Sequence, residues 1–286
     1  MMSPKKKILA VIGDPVAHSL SPQMHNAALR ALRLPFVYTK IHVLPEELKK
    51  FFRVEVPKLE GFNSTLPHKE KLFPFMDWVA PKARLIGAIN TVVRRGKRLL
   101  GFNTDGDGFL VSLHQEQGFS LEQKNVCILG AGAAARSLGV AMATAGARRI
   151  IFHNRTIERG AKLAKYLKGH FPKVAFSYTG LEGTPFHQSL SKSDLLVNTT
   201  SLGLGQTNFG EFPWQHLPHG VLVSDIVYNP RMTPFLRSAK SQGFVIHTGE
   251  GMLVHQGALS FLLWTGRVPD TELMHRTVIK SLSRLT

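Results

Sequence analysis

The stretch "NVCILGAGAAARSLGVAMATAGARRIIFHNRT", residues 125–156, decides the fold. "VCIL" is an apolar strand run, a glycine-alanine turn follows, and a small-residue helix leads to a second strand, "RRIIF". Gly130, Gly132 and Ala135 stand in the G-x-G-x-x-G/A spacing. Gly130 permits a tight turn after the strand, Gly132 lets a pyrophosphate approach the backbone, and a small third residue lets helix and strand pack closely. Small-residue runs also serve plain helix packing. The flanking strands favour dinucleotide binding here.

The end of the second strand selects the cofactor. NAD proteins place a carboxylate there for the ribose 2′-hydroxyl. This chain has Asn154, Arg155 and Thr156, with Arg159 one turn on. No carboxylate repels a 2′-phosphate, and two guanidiniums are available to hold one. The expected cofactor is therefore NADP. Thr156 reads equally as a helix N-cap.

Working outward, the alternation of strand and helix continues on both sides. "KILAVIG", "FVYTKIHV" and "LEGFNSTL" read as strands, separated by helices over "SPQMHNAALRALRL" and "PEELKKFFRVEV". That βαβαβ order predicts a mostly parallel sheet with right-handed crossovers. A helical patch near residues 79–87 precedes "INTVVRRGKRLLGFN", a hairpin turning at Arg95-Gly96. "TDGDGFLVSLHQEQG" reads as a helix leading into the second unit. Beyond the glycine turn, "DLLVNTTSLGLG" and "GVLVSDIVYNP" supply strands, and "GFVIHTGEGMLVHQGALSFLLWTG" a short strand and a long apolar helix packed on several sides. The expectation is two α/β domains with a cleft between them. Residues 1–104 and 251–286 form the substrate domain, and residues 105–250 a Rossmann-like NADP domain.

The 286 residues are 43% hydrophobic, enough for two cores, and no run approaches the roughly 20 apolar residues of a membrane span. "MMSPKKKILAVIGDP" reads as a first strand and not a leader, because its apolar run stops at Gly13-Asp14. The single cysteine, Cys127, leaves no intrachain disulfide and points to a reducing cytoplasm. The net charge of +17 raises nucleic acid as a partner, yet the basic residues are scattered and no RNA-binding, zinc or recognition-helix pattern accompanies them. Small polyanions fit such a field as well. No metal site is expected.

The segment "EGFNSTLPHKEKL", residues 60–72, crowds polar groups onto the end of a strand that breaks at Pro67. Hydride delivery to a ketone needs a proton donor beside the developing alkoxide. Lys69 is a candidate, with Asp105 in "GFNTDGDG" a candidate partner. From spacing alone, Lys69 reads equally as a solvent lysine, and Asp105 as the cap of a helix beginning near Gly106. His68 is expected to pack or cap.

These motifs together resemble the shikimate dehydrogenase family over nearly the whole chain. "HSLSP" resembles the S-x-S-P loop that holds the substrate carboxylate, which implies Ser19 and Ser21. "FNSTLPHK" is similar to N-V-T-[VI]-P-x-K, implying Asn63 and Thr65 as substrate ligands and Lys69 as the catalytic lysine. "GAINT" implies Asn90 as a ligand of ring hydroxyls, and "NTDG" implies Asp105 as the lysine's partner. "DIVYNPRMTPFL" and "GEGMLVHQGALSF" resemble motifs that point to Tyr228 and Gln256 at the substrate. "GAGAAARS", "NRTIER" and "NTTSLG" resemble the cofactor loops. The resemblance implies NADP contacts at Gly130, Ala131, Gly132, Ala133, Ala134, Asn154, Arg155, Thr156, Arg159, Thr200, Ile226 and Gly249. Three departures stand out. Ser64 replaces an apolar residue and is expected to loosen the strand, Ala133–Ala135 make the loop less glycine-rich, and Pro81 stands where relatives often carry an acid.

The activity so implied is the reversible NADPH-dependent reduction of 3-dehydroshikimate to shikimate, in aromatic amino-acid biosynthesis. Rival readings are an NAD-using quinate/shikimate dehydrogenase, a non-catalytic NADP-binding regulator and, on charge alone, a nucleic-acid binder. The partner expected is a small molecule, with a homodimer allowed and no membrane.

Overall fold

The computed structural model describes residues 6–203 and 210–284. The chain divides into two compact units, Met1–Gly108 with Val254–Leu285, and Phe109–Leu253.

In the first unit the elements run β1 (Lys7–Gly13), α1 (Ser21–Ala31), β2 (Phe36–His42), α2 (Leu48–Val54), β3 (Leu59–Ser64), β4 (Trp78–Val79), α3 (Pro81–Ile86), β5 (Thr91–Arg95) and β6 (Arg98–Phe102). Helix α4 (Asp105–Gln117) follows and carries the first division within it. The second unit holds β7 (Asn125–Leu129), α5 (Ala133–Thr144), β8 (Arg149–His153), α6 (Ile157–His170), β9 (Ala175–Thr179), α7 (Gly183–Leu190), β10 (Leu195–Asn198), β11 (Leu222–Asp225), α8 (Pro234–Ser241) and β12 (Val245–His247). Helix α9 (Glu250–Thr265) carries the second division, and α10 (Thr271–Leu282) returns to pack on α1.

The sheet of the first unit has the order β2-β1-β3-β5-β6-β4 among the described residues. β1 pairs in parallel with β2 and β3, and the β5–β6 hairpin adds antiparallel strands beside β3. The hairpin turns at Gly96-Lys97, with Arg95 opposite Arg98; Gly96 takes φ +62°, a left-handed conformation that suits glycine. Its core is Ile12, Phe51, Phe62, Leu72, Ile89 and Val92. Two sequence expectations change here. α2 covers only Leu48–Val54, with short 3-10 turns at Pro45–Glu47 and Val56–Lys58; Pro57 has no N–H to give the Arg53 carbonyl, so the α-helical ladder cannot run through it. Ser64 does not loosen β3: it is 3% exposed, stays in register with Ile12, and its N–H donates to Asn90 O at 2.8 Å.

The sheet of the second unit is wholly parallel, in the order β12-β11-β10-β7-β8-β9. This is the doubly wound arrangement. Its order reverses between β7 and β10, where a dinucleotide binds at the carboxyl ends of the strands. α9 is exposed along its length only at Leu262, which bears out the expectation of packing on several sides. Among the described residues no helix is long and apolar enough to cross a membrane.

Candidate active site

In the first unit, Pro67 and a tight turn carry the chain out of the sheet past Thr65, and the following turn presents Lys69. His68 N–H donates to Thr65 O, and Lys69 O accepts from Ile89 N at 2.8 Å. The Lys69 Nζ donates to Asp105 Oδ2 at 2.7 Å, with side-chain exposures of 17% and 7%. Asp105 opens α4, yet its carboxylate does not cap the helix. It takes the ammonium on one oxygen and the Asn90 Nδ2 on the other, also at 2.7 Å. An ion pair this enclosed keeps its geometry because both partners are hydrogen-bonded. The ammonium's remaining N–H donors have no protein partner among the described residues.

Asn90 lies at the head of β5. Its Oδ1 accepts from Thr104 N and from the Thr91 hydroxyl, both at 2.9 Å; its Nδ2 also reaches Thr104 Oγ1 at 2.8 Å and, more weakly, Gln256 Oε1 at 3.3 Å. The long contact to Gln256, on α9, is the one a substrate hydroxyl would most readily replace. Asn63 is more fully engaged. Its Nδ2 donates to Asn90 O, Thr91 Oγ1 and Ser260 Oγ at 3.0–3.1 Å, and its Oδ1 accepts from Tyr38 at 2.7 Å. Thr65 is half-buried, with its N–H on Ile12 O. Ser19 and Ser21 are buried at the start of α1; Ser19 Oγ accepts from Ser21 N at 3.3 Å, so the Ser19 hydroxyl proton stays available to an anion. His68 packs as expected, wholly buried with Nε2 on Val43 O at 2.7 Å, and His18 is exposed. Tyr38, Thr91, Thr104 and Ser260 also belong to this network. Thr91, Thr104 and Ser260 stand inside motifs quoted above, whereas nothing in the local sequence marks Tyr38.

In the second unit, Gly130 closes β7 with φ +111°, its N–H on His153 O at 2.7 Å. A side chain there would meet Thr199 Oγ1 at 2.7 Å. Off Gly132 a Cβ would meet nothing within 4 Å, and no side chain caps α5, which starts at the next residue. The backbone N–H groups of its first turn are therefore available to a pyrophosphate. Ala135 is wholly buried, as the third small position requires. At the end of β8, Asn154 Nδ2 donates to Thr156 O at 2.8 Å. Thr156 sits at the N-cap position of α6, yet its side chain makes no capping bond. Arg155 and Arg159 are exposed and lack an ion-pair partner among the described residues. A cofactor bearing a pyrophosphate and a 2′-phosphate fits these groups.

The remaining loops are tied by Asp225, at the end of β11. It accepts from Asn198 Nδ2 (3.0 Å), Val227 N (3.0 Å) and Thr233 Oγ1 (2.8 Å). Burial pushes its carboxyl up to about 6. Asn198 in turn accepts from the Thr200 N–H and hydroxyl. Ile226 and Tyr228 follow Asp225 directly. Gly249 lies against the carbonyls of Ile226 and Val227, where a Cβ would come within 2.6 Å of Ile226 O. Asn198 and Asp225 stand inside motifs quoted above, and their organising role comes from bonds between separate strands and loops.

Gly130→Val is expected to destabilise the protein by about 2 kcal/mol, since it forces a β-branched residue to positive φ against Thr199. It should also abolish NADPH fluorescence enhancement, with denaturant midpoint and NADPH titration as the two measurements.

A wholly parallel doubly wound sheet with this glycine turn defines a nicotinamide-dinucleotide α/β protein, and the buried lysine–aspartate pair adds an acid–base centre. Family profiles match at residues 11–92 (shikimate dehydrogenase substrate-binding domain), 112–202 (shikimate/quinate 5-dehydrogenase) and 249–279 (shikimate 5′-dehydrogenase C-terminal domain). A shikimate dehydrogenase (NADP(+)) of Geobacter metallireducens is 40% identical over 98% of each chain. A crystal structure of a shikimate dehydrogenase in complex with NADP+ superposes with a TM-score of 0.88 at 36% identity, over 99% of this chain and 98% of that one. The shikimate 5-dehydrogenase of Thermus thermophilus, in complex with NADP(H) and shikimate, gives 0.86 at 37% identity, over 96% and 99%. The chain belongs to the shikimate dehydrogenase family.

Proposed function

We propose that Lys69 and Asp105 carry the proton step of a reversible NADPH-dependent reduction of 3-dehydroshikimate to shikimate. The observation that supports this most is the 2.7 Å pairing of Lys69 Nζ with Asp105 Oδ2 at a place where Lys69 keeps further donors. NADPH, when bound, supplies the hydride. As the ketone carbon takes the hydride pair, negative charge builds on its oxygen, and Lys69 gives that oxygen a proton. In the reverse direction neutral Lys69 accepts the hydroxyl proton. Asp105 fixes the ammonium and stabilises its charge, while Asn90 holds the second carboxylate oxygen.

Ser19 and Ser21 receive the substrate carboxylate, and Thr65, Asn90 and Gln256 orient the hydroxyls. Asn63, whose amide donors are all committed to protein acceptors, completes this group from beneath. Tyr228, in the loop after β11, is assigned to the substrate as well. Residues 1–104 with 251–286 serve the substrate and 105–250 the cofactor. Gly130 to Ala134 take the pyrophosphate; Asn154, Arg155, Thr156 and Arg159 the adenosine 2′-phosphate; and Thr200, Ile226 and Gly249 the nicotinamide end. The reading places the enzyme in the cytoplasm, where the buried, unpaired Cys127 remains reduced, with a small-molecule substrate and no nucleic-acid partner.

The test is reduced-nicotinamide absorbance on adding shikimate or quinate with NADP+ or NAD+. Shikimate with NADP+ should be the fastest pair. No reduction with any pair would remove the enzymatic reading and leave an NADP-binding regulator. Arg155→Ala with Arg159→Ala should raise KM for NADP+ about 30- to 100-fold, and KM for NAD+ by less than about threefold, because only NADP presents the phosphate those guanidiniums hold. Equal changes for both cofactors would refute the assignment.

A further inference from the structure

Beneath the lysine–aspartate pair one path of hydrogen bonds has determined donor directions, with Ser260 Oγ branching from it at 2.7 Å from Thr91 Oγ1 and 3.1 Å from Asn63 Nδ2. Lys69 only donates, so Asp105 accepts on Oδ2. Asp105 Oδ1 accepts from Asn90 Nδ2. The Thr104 N–H, donating to Asn90 Oδ1, fixes which way that amide faces. The Thr91 hydroxyl, facing the same Oδ1 at 2.9 Å, must donate to it. Its proton thus spent, Thr91 Oγ1 can only accept, and Asn63 Nδ2 donates to it at 3.1 Å. The Asn90 carbonyl, an acceptor on Asn63 Nδ2 at 3.0 Å, fixes the Asn63 amide as well. Asn63 Oδ1 therefore faces Tyr38, whose hydroxyl donates at 2.7 Å.

Every member is at most 6% exposed except Lys69: Tyr38 2%, Asn63 6%, Thr91 0%, Asn90 2% and Asp105 5%. Water cannot substitute for a missing link, so each bond selects the orientation of the next. Tyr38 begins the chain and is itself immobilised. It stacks on His25 at 4.3 Å with an interplanar angle of 14° and lies near Trp264. Burial raises its phenol well above the usual range, against a smaller opposing effect of a hydrogen bond with the Ser21 side chain, so it is a donor at neutral pH.

We propose that Tyr38 is a positioning residue for the Lys69–Asp105 pair, acting through Asn63, Thr91 and Asn90. The proposal rests on the reaction assigned above. Tyr38 touches no reacting atom. Its hydroxyl adds a second hold on the Asn63 amide, in the orientation that the Asn90 carbonyl selects and in which Nδ2 donates to Thr91, so that Thr91 stays seated to donate to Asn90 and the Asn90 Nδ2 stays on Asp105. Loss of that hydroxyl leaves Asn63 Oδ1 buried without a donor, and the amide gains by shifting off Thr91.

Tyr38→Phe and Thr91→Val each remove one oxygen from a near-isosteric side chain, at two separate links. Each is expected to lower kcat with shikimate about tenfold, as a sub-ångström misplacement of a catalytic group does. The Kd for NADPH, from fluorescence titration, should stay within about twofold. Because the links act in series, the double variant should be no slower than the slower single one. An independent readout is the rate at which Lys69 reacts with an amine-directed reagent, followed by peptide mass spectrometry; both variants should change it by a similar factor. Unchanged kcat and unchanged Lys69 reactivity in a folded Tyr38→Phe or Thr91→Val protein would overturn the proposal, as would losses that multiply in the double variant. If the parent protein fails to oxidise shikimate, the reaction assignment falls, while Lys69 labelling still decides the chain.

Discussion

Lys69→Ala should reduce kcat for shikimate oxidation about 10³-fold, while the Kd values for shikimate and NADPH stay within a few-fold of the parent. General acid–base catalysis contributes roughly 10²–10⁴, and no second group stands ready to replace this one. His68, the adjacent titratable side chain, is wholly buried and points to Val43 O, so it cannot relay the proton. Substrate binding is expected to survive because the serines and amides proposed for the carboxylate and hydroxyls are not members of the ion pair. Lys69→Arg should recover little, since guanidinium gives up its proton too reluctantly to serve as a base. Asp105→Asn should cost less than Lys69→Ala, because Asn90 still anchors that position. Stopped-flow single turnover separates the chemical step from product release. A Lys69→Ala protein that turns over within about tenfold of the parent would end the assignment.

The second large effect is acid instability of the first unit. His25 has both ring nitrogens without partners, and burial pushes it down to about 3. The unfolded chain takes up that proton near pH 6.5. His25 therefore supports the fold fully above pH 6.5, and this contribution is lost as pH falls through 6.5 toward 3, up to about 5 kcal/mol in all. His68 and His255, also lowered by burial, act in the same direction. The second unit differs. His153 is likewise held down to about 3, but Asp225 is raised to about 6. A carboxyl raised in the fold stabilises below its unfolded value near 3.9 and loses that contribution as pH rises through 6. On acidification from 6 to 4 it therefore returns about 2 kcal/mol, offsetting most of the loss from His153 over that interval.

The first unit should accordingly unfold at higher pH than the second. Trp264 reports on the first unit and Trp214 on the second, and single-tryptophan variants followed by fluorescence would resolve the two transitions. His25→Phe keeps a flat ring against Tyr38 and loses no hydrogen bond. It should shift the first transition to lower pH and reduce proton uptake on unfolding by about one. An unmoved transition would show that His25 is not the group responsible.

How far the residues spoke for themselves depended on the range of the interaction. The glycine turn was readable because its requirements are local: a strand, a residue with φ +111°, a bare Cα at the next glycine and a helix start, all within a few positions. The β5–β6 hairpin was readable for the same reason. α2 is shorter than its apolar and charged pattern, which runs to Val56, because Pro57 offers no N–H to continue the α-helical ladder. Lys69 and Asp105 are 36 positions apart, and local pattern alone left their pairing open; only the resemblance to a family joined them. Asn63 shows the limit most clearly. Its motif marks it as a ligand, and only the fold adds that its amide also engages Asn90, Thr91 and, 197 positions away, Ser260.

Sequence by itself determined the two α/β units, the dinucleotide turn, the absence of a carboxylate at the end of β8 and the identities of the lysine and aspartate. These depend on backbone preference, hydrophobic period and charge, which act over short stretches of chain. Tertiary structure alone decided which side chains spend their hydrogen bonds on one another and which keep a donor for a ligand. A buried polar group must find a partner wherever the fold brings one, and the partners of Tyr38, Asn63 and Asp105 come from strands and helices that no local pattern connects.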